Sequence, residues 1–160
     1  IDKAERLCLD TVKKNDRMNS LKERFTAIGG VGDLTAISIL SSLPEIGTLS
    51  DGKLNRLVGI APEEKQSGTK EWQRRIWGGR KDVRNALYMA AVASIKWNAI
   101  LGGYYRKKRA EGHLHKWAIV PTMRKLLSLL NRIARDPGFI PMPEPESTKQ
   151  NANVGRRKAA

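Results

Sequence analysis

Apolar residues recur at helical spacing through most of the chain, and polar or glycine-rich stretches interrupt them. Leu7, Val12, Leu21 and Phe25 fall on one face of a first amphipathic segment, so residues 1–27 are expected to form one helix that Gly29 and Gly30 stop. GVGDLTAISILSSL predicts a second helix, opened by Asp33 or a neighbour. Its apolar stripe is Leu34, Ile37, Leu40 and Leu43, and Pro44 ends it. KLNRLVGI reads as a short helix stopped by Pro62, and a polar loop around Ser67 runs on to about Gly79, with a small β-ribbon expected at QRRIW. A long helix is predicted over 81–101, with Val83, Leu87, Ala90, Ala91, Ser94 and Trp97 near one face and Gly102-Gly103 as its breakers. A last helix is expected over 114–135, with Leu126, Leu127, Leu130 and Ile133 turned inward; Pro121 should kink or split it near Val120.

The expected fold is therefore mainly α: a compact helical domain over 28–135 with a small loop or β-ribbon around Ser67. From Asp136 the composition becomes Pro-rich (PGFIPMPEPESTKQ) and then small and basic (NANVGRRKAA), which predicts a flexible tail over 136–160. The 160 residues suffice for one domain with its own core. Cys8 reads as a small buried hydrophobe, and one cysteine allows no internal disulfide, which fits a reducing cytosol. No apolar run reaches membrane-spanning length. The chain opens without Met and in mid-pattern, which points to a piece of a longer protein.

Charge changes the picture most. Thirty Lys and Arg oppose sixteen Asp and Glu, for a net charge of +14. Such a surface attracts polyanions, and no single helix gathers the charge on one face as a membrane-surface helix would. Nucleic acid is the expected partner. Seven of the basic residues crowd around and after Ser67: Lys65, Lys70, Arg74, Arg75, Arg80, Lys81 and Arg84. Arginine favours bidentate phosphate contact, so Lys65, Lys70, Arg74, Arg75, Arg80 and Arg84 are candidate nucleic-acid contacts; the competing reading is a solvated charged face.

Ile28-Gly29-Gly30-Val31-Gly32 followed by a helix looks like the hairpin of a helix-hairpin-helix element. Gly30 and Gly32 would let backbone N–H groups approach a phosphate; a tight interhelical turn without a ligand explains them equally well. Ser67 is ordinarily just a polar loop residue, because a hydroxyl nucleophile needs a base or a metal and the chain shows no Ser-His-Asp arrangement. Trp72 and Trp77 bracket the basic cluster and suit burial better than base stacking, while Trp97 and Trp117 read as core. His113 and His115 lack further ligands at metal-binding spacing, and the carboxylates do not cluster as a Mg2+ site requires.

Five segments in register carry a resemblance: IGGVGDLTAISILSSL, LNRLVGIAP, the Ser-Gly loop, RRIWGGRKDVRNALYMAA and GHLHKWAIVPTMRKLL. Together, from about Phe25 to Ile133, they resemble the C-terminal transposase domain of the insertion-sequence one-ten family, relatives of the Piv DNA invertase. The resemblance implies a DNA transposase or site-specific recombinase, in some members guided by a structured RNA. By position it implies Ser67 as the nucleophile of a phosphoserine–DNA intermediate. It further implies that residues 1–27 link to an N-terminal catalytic domain binding Mg2+, with no cofactor in this chain. A homo-oligomer, a bacterial or archaeal cytoplasm and nucleoid association follow from the same likeness. An isolated fragment would then be inactive. The alternative is a non-catalytic DNA- or RNA-binding module.

Overall fold

The computed structural model describes residues 15–61 and 78–140 and the backbone of 66–67 and 70–71. Positions 1–14 of the helix expected over 1–27, with Leu7, Cys8 and Val12, and the QRRIW ribbon, Lys65, Arg74, Arg75, Trp72, Trp77 and the tail beyond 140 lie outside the described residues.

Six helices and one two-stranded ribbon are described: α1 Asp16–Thr26, α2 Asp33–Ser42, α3 Asp51–Val58, β1 Gln66–Ser67, β2 Lys70–Glu71, α4 Lys81–Trp97, α5 Ala99–Ala110 and α6 His115–Arg135. The fold is mainly helical. α4 is its axis and packs against α2, α5 and α6, while α1 lies across α2 and α6. No helix among the described residues is long and apolar enough to cross a membrane.

Each helix begins where local chemistry allows it. Asn15 caps α1 by accepting from the Met18 amide at 3.2 Å, and Asp16 sits in the first turn, where the helix dipole favours negative charge. α1 buries Phe25 completely, and the turn that follows sinks Ile28 and Val31 into the core. On α2 the buried stripe is Ala36, Ile39, Leu40 and Leu43, at i, i+3, i+4 and i+7, with Ile37 beside it. Leu34 is 47% exposed, contrary to the sequence expectation. It sits about 200° around the helix from Ala36, and a helix apolar on most sides does not reveal which side its neighbours cover.

The long helix ends earlier than expected. Asn98 adopts an extended conformation, and its side chain accepts from the amides of Ile100 and Leu101 at 3.1 and 3.0 Å. It therefore caps a new helix, and Gly102-Gly103 lie inside α5 rather than breaking α4. At Gly102 a Cβ would collide with the Ile95 carbonyl, so this glycine lets α5 cross closely over the end of α4. The early break also corrects the reading of Trp97, which is 42% exposed in the last turn of α4 with Lys96 over its ring. Trp117, expected in the core, is 51% exposed, because it lies in the first turn of α6, before the helix reaches the core at Ala118.

α6 runs through Pro121 without splitting. A proline removes one backbone donor, and here the flanking turn is held by the buried residues Ile119, Thr122 and Met123. Leu126, Leu127, Leu130 and Ile133 are buried as expected. Asn131, also buried, fastens the α2–α3 connection to α6. It accepts from the Gly47 amide at 2.8 Å and donates to the Leu49 carbonyl at 3.0 Å and to Asp51 at 2.6 Å.

Candidate nucleic-acid interface around Ser67

The stretch that carries Ser67 is an excursion of the chain between the end of α3 and the start of α4, and its two ends touch. α3 stops at Gly59 in a left-handed conformation (φ 77°), and the amides of Ile60 and Ala61 fold back onto the Asn55 carbonyl at 2.9 and 3.1 Å. The returning chain passes Gly79, also left-handed (φ 69°), and the Arg80 amide donates to the Leu57 carbonyl at 3.0 Å. Gly59 and Gly79 face each other so closely that a Cβ on either would overlap backbone atoms of the other segment. The excursion therefore stands on a pinched neck.

Three arginines fix that neck. Arg84, one turn into α4, donates to the carbonyls of Val58 at 3.2 Å and of Gly78, bridging the outgoing and returning strands. Arg80 forms a bidentate pair with Glu45 (2.5 Å to each carboxylate oxygen) and also donates to the Ser42 carbonyl at 2.9 Å, tying the neck to the end of α2. Hydrogen bonding from Arg80, with a lesser backbone contribution, holds the Glu45 carboxyl below its ordinary pKa; the Arg80 guanidinium is correspondingly raised. Arg124 reaches across from α6 and donates through Nε to the Ile60 carbonyl at 2.9 Å, and partial burial pushes its pKa down.

Above the neck, β1 and β2 pair antiparallel, with Gln66 opposite Glu71 and Ser67 opposite Lys70. Ser67 is thus the last strand residue before a two-residue connection, and Lys70 is the first after it.

The sequence-predicted residues separate into groups. Ser67 and Lys70 share one backbone pair. Arg80 and Arg84 lie at the neck with their guanidinium groups already engaged by protein acceptors, so they position the excursion. Lys81 is exposed in the first turn of α4. Gly30 and Gly32 are elsewhere. Gly30 (φ 98°) lies against Ser94 of α4, where a Cβ would overlap the Ser94 backbone nitrogen, and the Ser94 hydroxyl donates to the Gly29 carbonyl at 2.9 Å. Close helix packing accounts for this glycine. Ser94 is 13 residues beyond Lys81 on α4, so the glycine turn lies about 20 Å from the neck at 1.5 Å per residue. Gly32 is exposed and begins α2 without a side-chain cap, but Asp33 follows it in that first turn and pairs with Lys22 at 3.7 Å. A phosphate there would meet this carboxylate.

The histidines have separate partners. His115 Nδ1 lies 2.8 Å from the Tyr105 hydroxyl, and His113 lies 3.6 Å from Glu111. Among the described residues no group of three or more His, Cys, Asp and Glu could hold a metal ion. Sequence reasoning missed Glu45 and Arg124. Glu45 follows Pro44 like any loop carboxylate, and Arg124 is separated from Ile60 by 64 positions, so no local pattern marks either.

Residues 22–106 match the model of the Transposase IS116/IS110/IS902 family. The chain belongs to this family. The match encloses both ends of the Ser67 excursion together with α2, α3 and α4; Arg124 and α6 lie beyond it. Among curated proteins, this transposase-family chain is similar to the insertion element IS110 uncharacterized 43.6 kDa protein of Streptomyces coelicolor. The two are 30% identical over 118 residues, 72% of this chain and 29% of that protein. It is 26% identical over 136 residues to the insertion element IS116 uncharacterized 44.8 kDa protein of Streptomyces clavuligerus, covering 82% of this chain and 34% of the relative. A third relative, the insertion element IS900 uncharacterized 42 kDa protein of Mycobacterium paratuberculosis, is 32% identical over 94 residues. The chain thus spans between 22% and 34% of the length of these relatives.

Proposed function

We propose that this chain is the DNA-engaging part of an insertion-sequence transposase and that Ser67 is its nucleophile. The observation that carries the reading is the family match over residues 22–106, which encloses an excursion bearing Ser67 on an arginine-fixed neck. The net charge of +14 supports DNA as the partner, with a structured guide RNA as a second polyanion.

The chemistry is a transesterification. The Ser67 hydroxyl oxygen forms a bond to phosphorus while a strand oxygen leaves; the serine loses a proton and the departing oxygen gains one. The phosphoserine ester keeps the phosphodiester's energy, so the strand can be resealed without ATP. The chain's own part is to hold the serine, with its backbone paired to Lys70, and to present cations that steady charge on the transferring phosphate. Among the described residues no group of three or more His, Cys, Asp and Glu assembles a Mg2+ site. Mg2+ would be supplied by acidic residues of the remainder of the protein, in an oligomer.

The test is Ser67→Ala in the full-length protein. Loss of covalent protein–DNA adducts on denaturing gels, with DNA binding intact, is the expected result. Adducts equal to wild type would sink the nucleophile and leave a binding module.

A further inference from the structure

A second cationic feature lies outside the Ser67 cluster. A groove of about 1110 Å3 opens beside α6, bordered by the start of α5 and by the segment after Asp136. One wall is formed by α6, from which Arg124, Arg132 and Arg135 border the groove; Arg135 lies close to three whole turns from Arg124, and Arg132 about 80° around the helix from it. From 124 to 132 the cations span about 12 Å, the length of roughly three to four nucleotides at ~3.4 Å each. Lys125 adds a further cation and lies 4.5 Å from the ring centre of Tyr104; Arg132 lies 4.3 Å from that of Phe139. Arg124, Lys125 and Arg132 make no ion pair among the described residues, whereas the Arg135 guanidinium donates to the carbonyls of Gly47 and Leu49 at 3.5 and 2.8 Å and borders the groove as an engaged cation. Two carboxylates also border the groove, Asp51 (accepting from Asn131 at 2.6 Å) and Asp136 (accepting from the Gly138 amide at 2.9 Å), so its four cations leave it a net charge of +2.

We propose that this groove holds a single DNA strand on its way to Ser67; the assignment rests on the transposase reading above. Three observations select the occupant. The cations are spread along α6 over about 12 Å, as contacts to successive phosphates of a strand need, rather than gathered in one focus, as a lone phosphate would. Two aromatic side chains, Tyr104 and Phe139, line the groove among these cations, and a basic groove interspersed with rings is what the unpaired bases of a single strand use. Arg124 joins the groove to the root of the Ser67 excursion, because its Nε holds the Ile60 carbonyl while its two terminal nitrogens have no partner among the described residues. A strand lying along α6 is thereby led to the neck.

Lys125 and Arg132 are exposed, so their replacement leaves the core untouched. The test compares full-length wild type with the Lys125→Gln/Arg132→Gln double variant, and with Lys53→Gln/Lys116→Gln as a control that removes equal charge from exposed sites outside the groove. Binding of labelled oligo(dT), oligo(U) and a duplex is followed by fluorescence anisotropy over a salt series. The groove variant is expected to bind oligo(dT) at least tenfold more weakly, with a salt slope shallower by about 1.4, two phosphate contacts at ~0.7 each. Duplex affinity should change less than twofold. An unchanged oligo(dT) slope, or an equal loss in the control, overturns the proposal; a loss confined to oligo(U) reassigns the groove to RNA and overturns it too. The assay reads binding alone and is repeated in the Ser67→Ala background. A groove effect that persists while adducts form normally in Ser67→Ala would mean that the nucleophile assignment has failed and the groove has not.

Discussion

Gly78 and Gly79 offer a paired experiment on the neck. Both are left-handed, at φ 70° and 69°, so alanine at either position meets the same backbone penalty of about 1 kcal/mol. Their surroundings differ. A Cβ on Gly78 would have nothing within 4 Å, whereas one on Gly79 would overlap the nitrogen and Cα of Gly59 and the carbonyl carbon of Val58. These are backbone atoms and cannot rotate aside. Relief requires the two strands of the neck to part, which adds an overpacking cost of about 1–3 kcal/mol and weakens the hydrogen bond from the Arg80 amide to the Leu57 carbonyl by about 1 kcal/mol more. Gly78→Ala is therefore expected to destabilise the chain by about 1 kcal/mol and Gly79→Ala by about 3–5 kcal/mol. Urea unfolding followed by circular dichroism, with free energies from midpoint and slope, resolves that gap. Gly59→Ala should behave like Gly79→Ala. If Gly79→Ala falls within ~0.5 kcal/mol of Gly78→Ala, the pinched neck is wrong.

Two further outcomes follow from the packing. Because Arg80 depresses the Glu45 pKa in the folded chain, the stability that Glu45 contributes is fully present above the ordinary carboxylate pKa of about 4.3 and is lost as pH falls through the depressed folded value. The stability gap between wild type and Glu45→Gln should then be widest above about pH 5 and close on acidification; a gap independent of pH would refute the pairing. Asn131→Ala should cost about 2–4 kcal/mol in urea unfolding, since it strips partners from the Gly47 amide and the Asp51 carboxylate at a buried position, and a loss under ~0.5 kcal/mol would contradict the bridging role.

The helical architecture was legible because periodic apolar positions and glycine or proline stops reflect local physics. Leu126, Leu127, Leu130 and Ile133 could be placed inward from spacing alone. The misreadings share a cause. Leu34, Trp97 and Trp117 are large and apolar, but their burial depends on which helix covers them, and that is settled by tertiary contacts. The break at Asn98 was hidden because an amide side chain capping a new helix outweighed two glycines that looked like stops. At the candidate site, Ser67 and its basic neighbours stood out as a cluster in the chain. The partners that restrain Arg80 and Arg84 did not, since Glu45 and the Val58 carbonyl come from other parts of the sequence. Gly30 shows the converse: a glycine that looked fit for phosphate is required by the proximity of Ser94.

The contact between Gly59 and Gly79 also bears on how such proteins diversify. With both roots of the excursion already side by side, its closure depends little on its length: doubling a flexible insert would cost only about 0.6 kcal/mol in closure entropy. Cassettes differing in size and specificity could thus be exchanged between relatives by cutting at 61 and 78, leaving the surrounding framework unaltered.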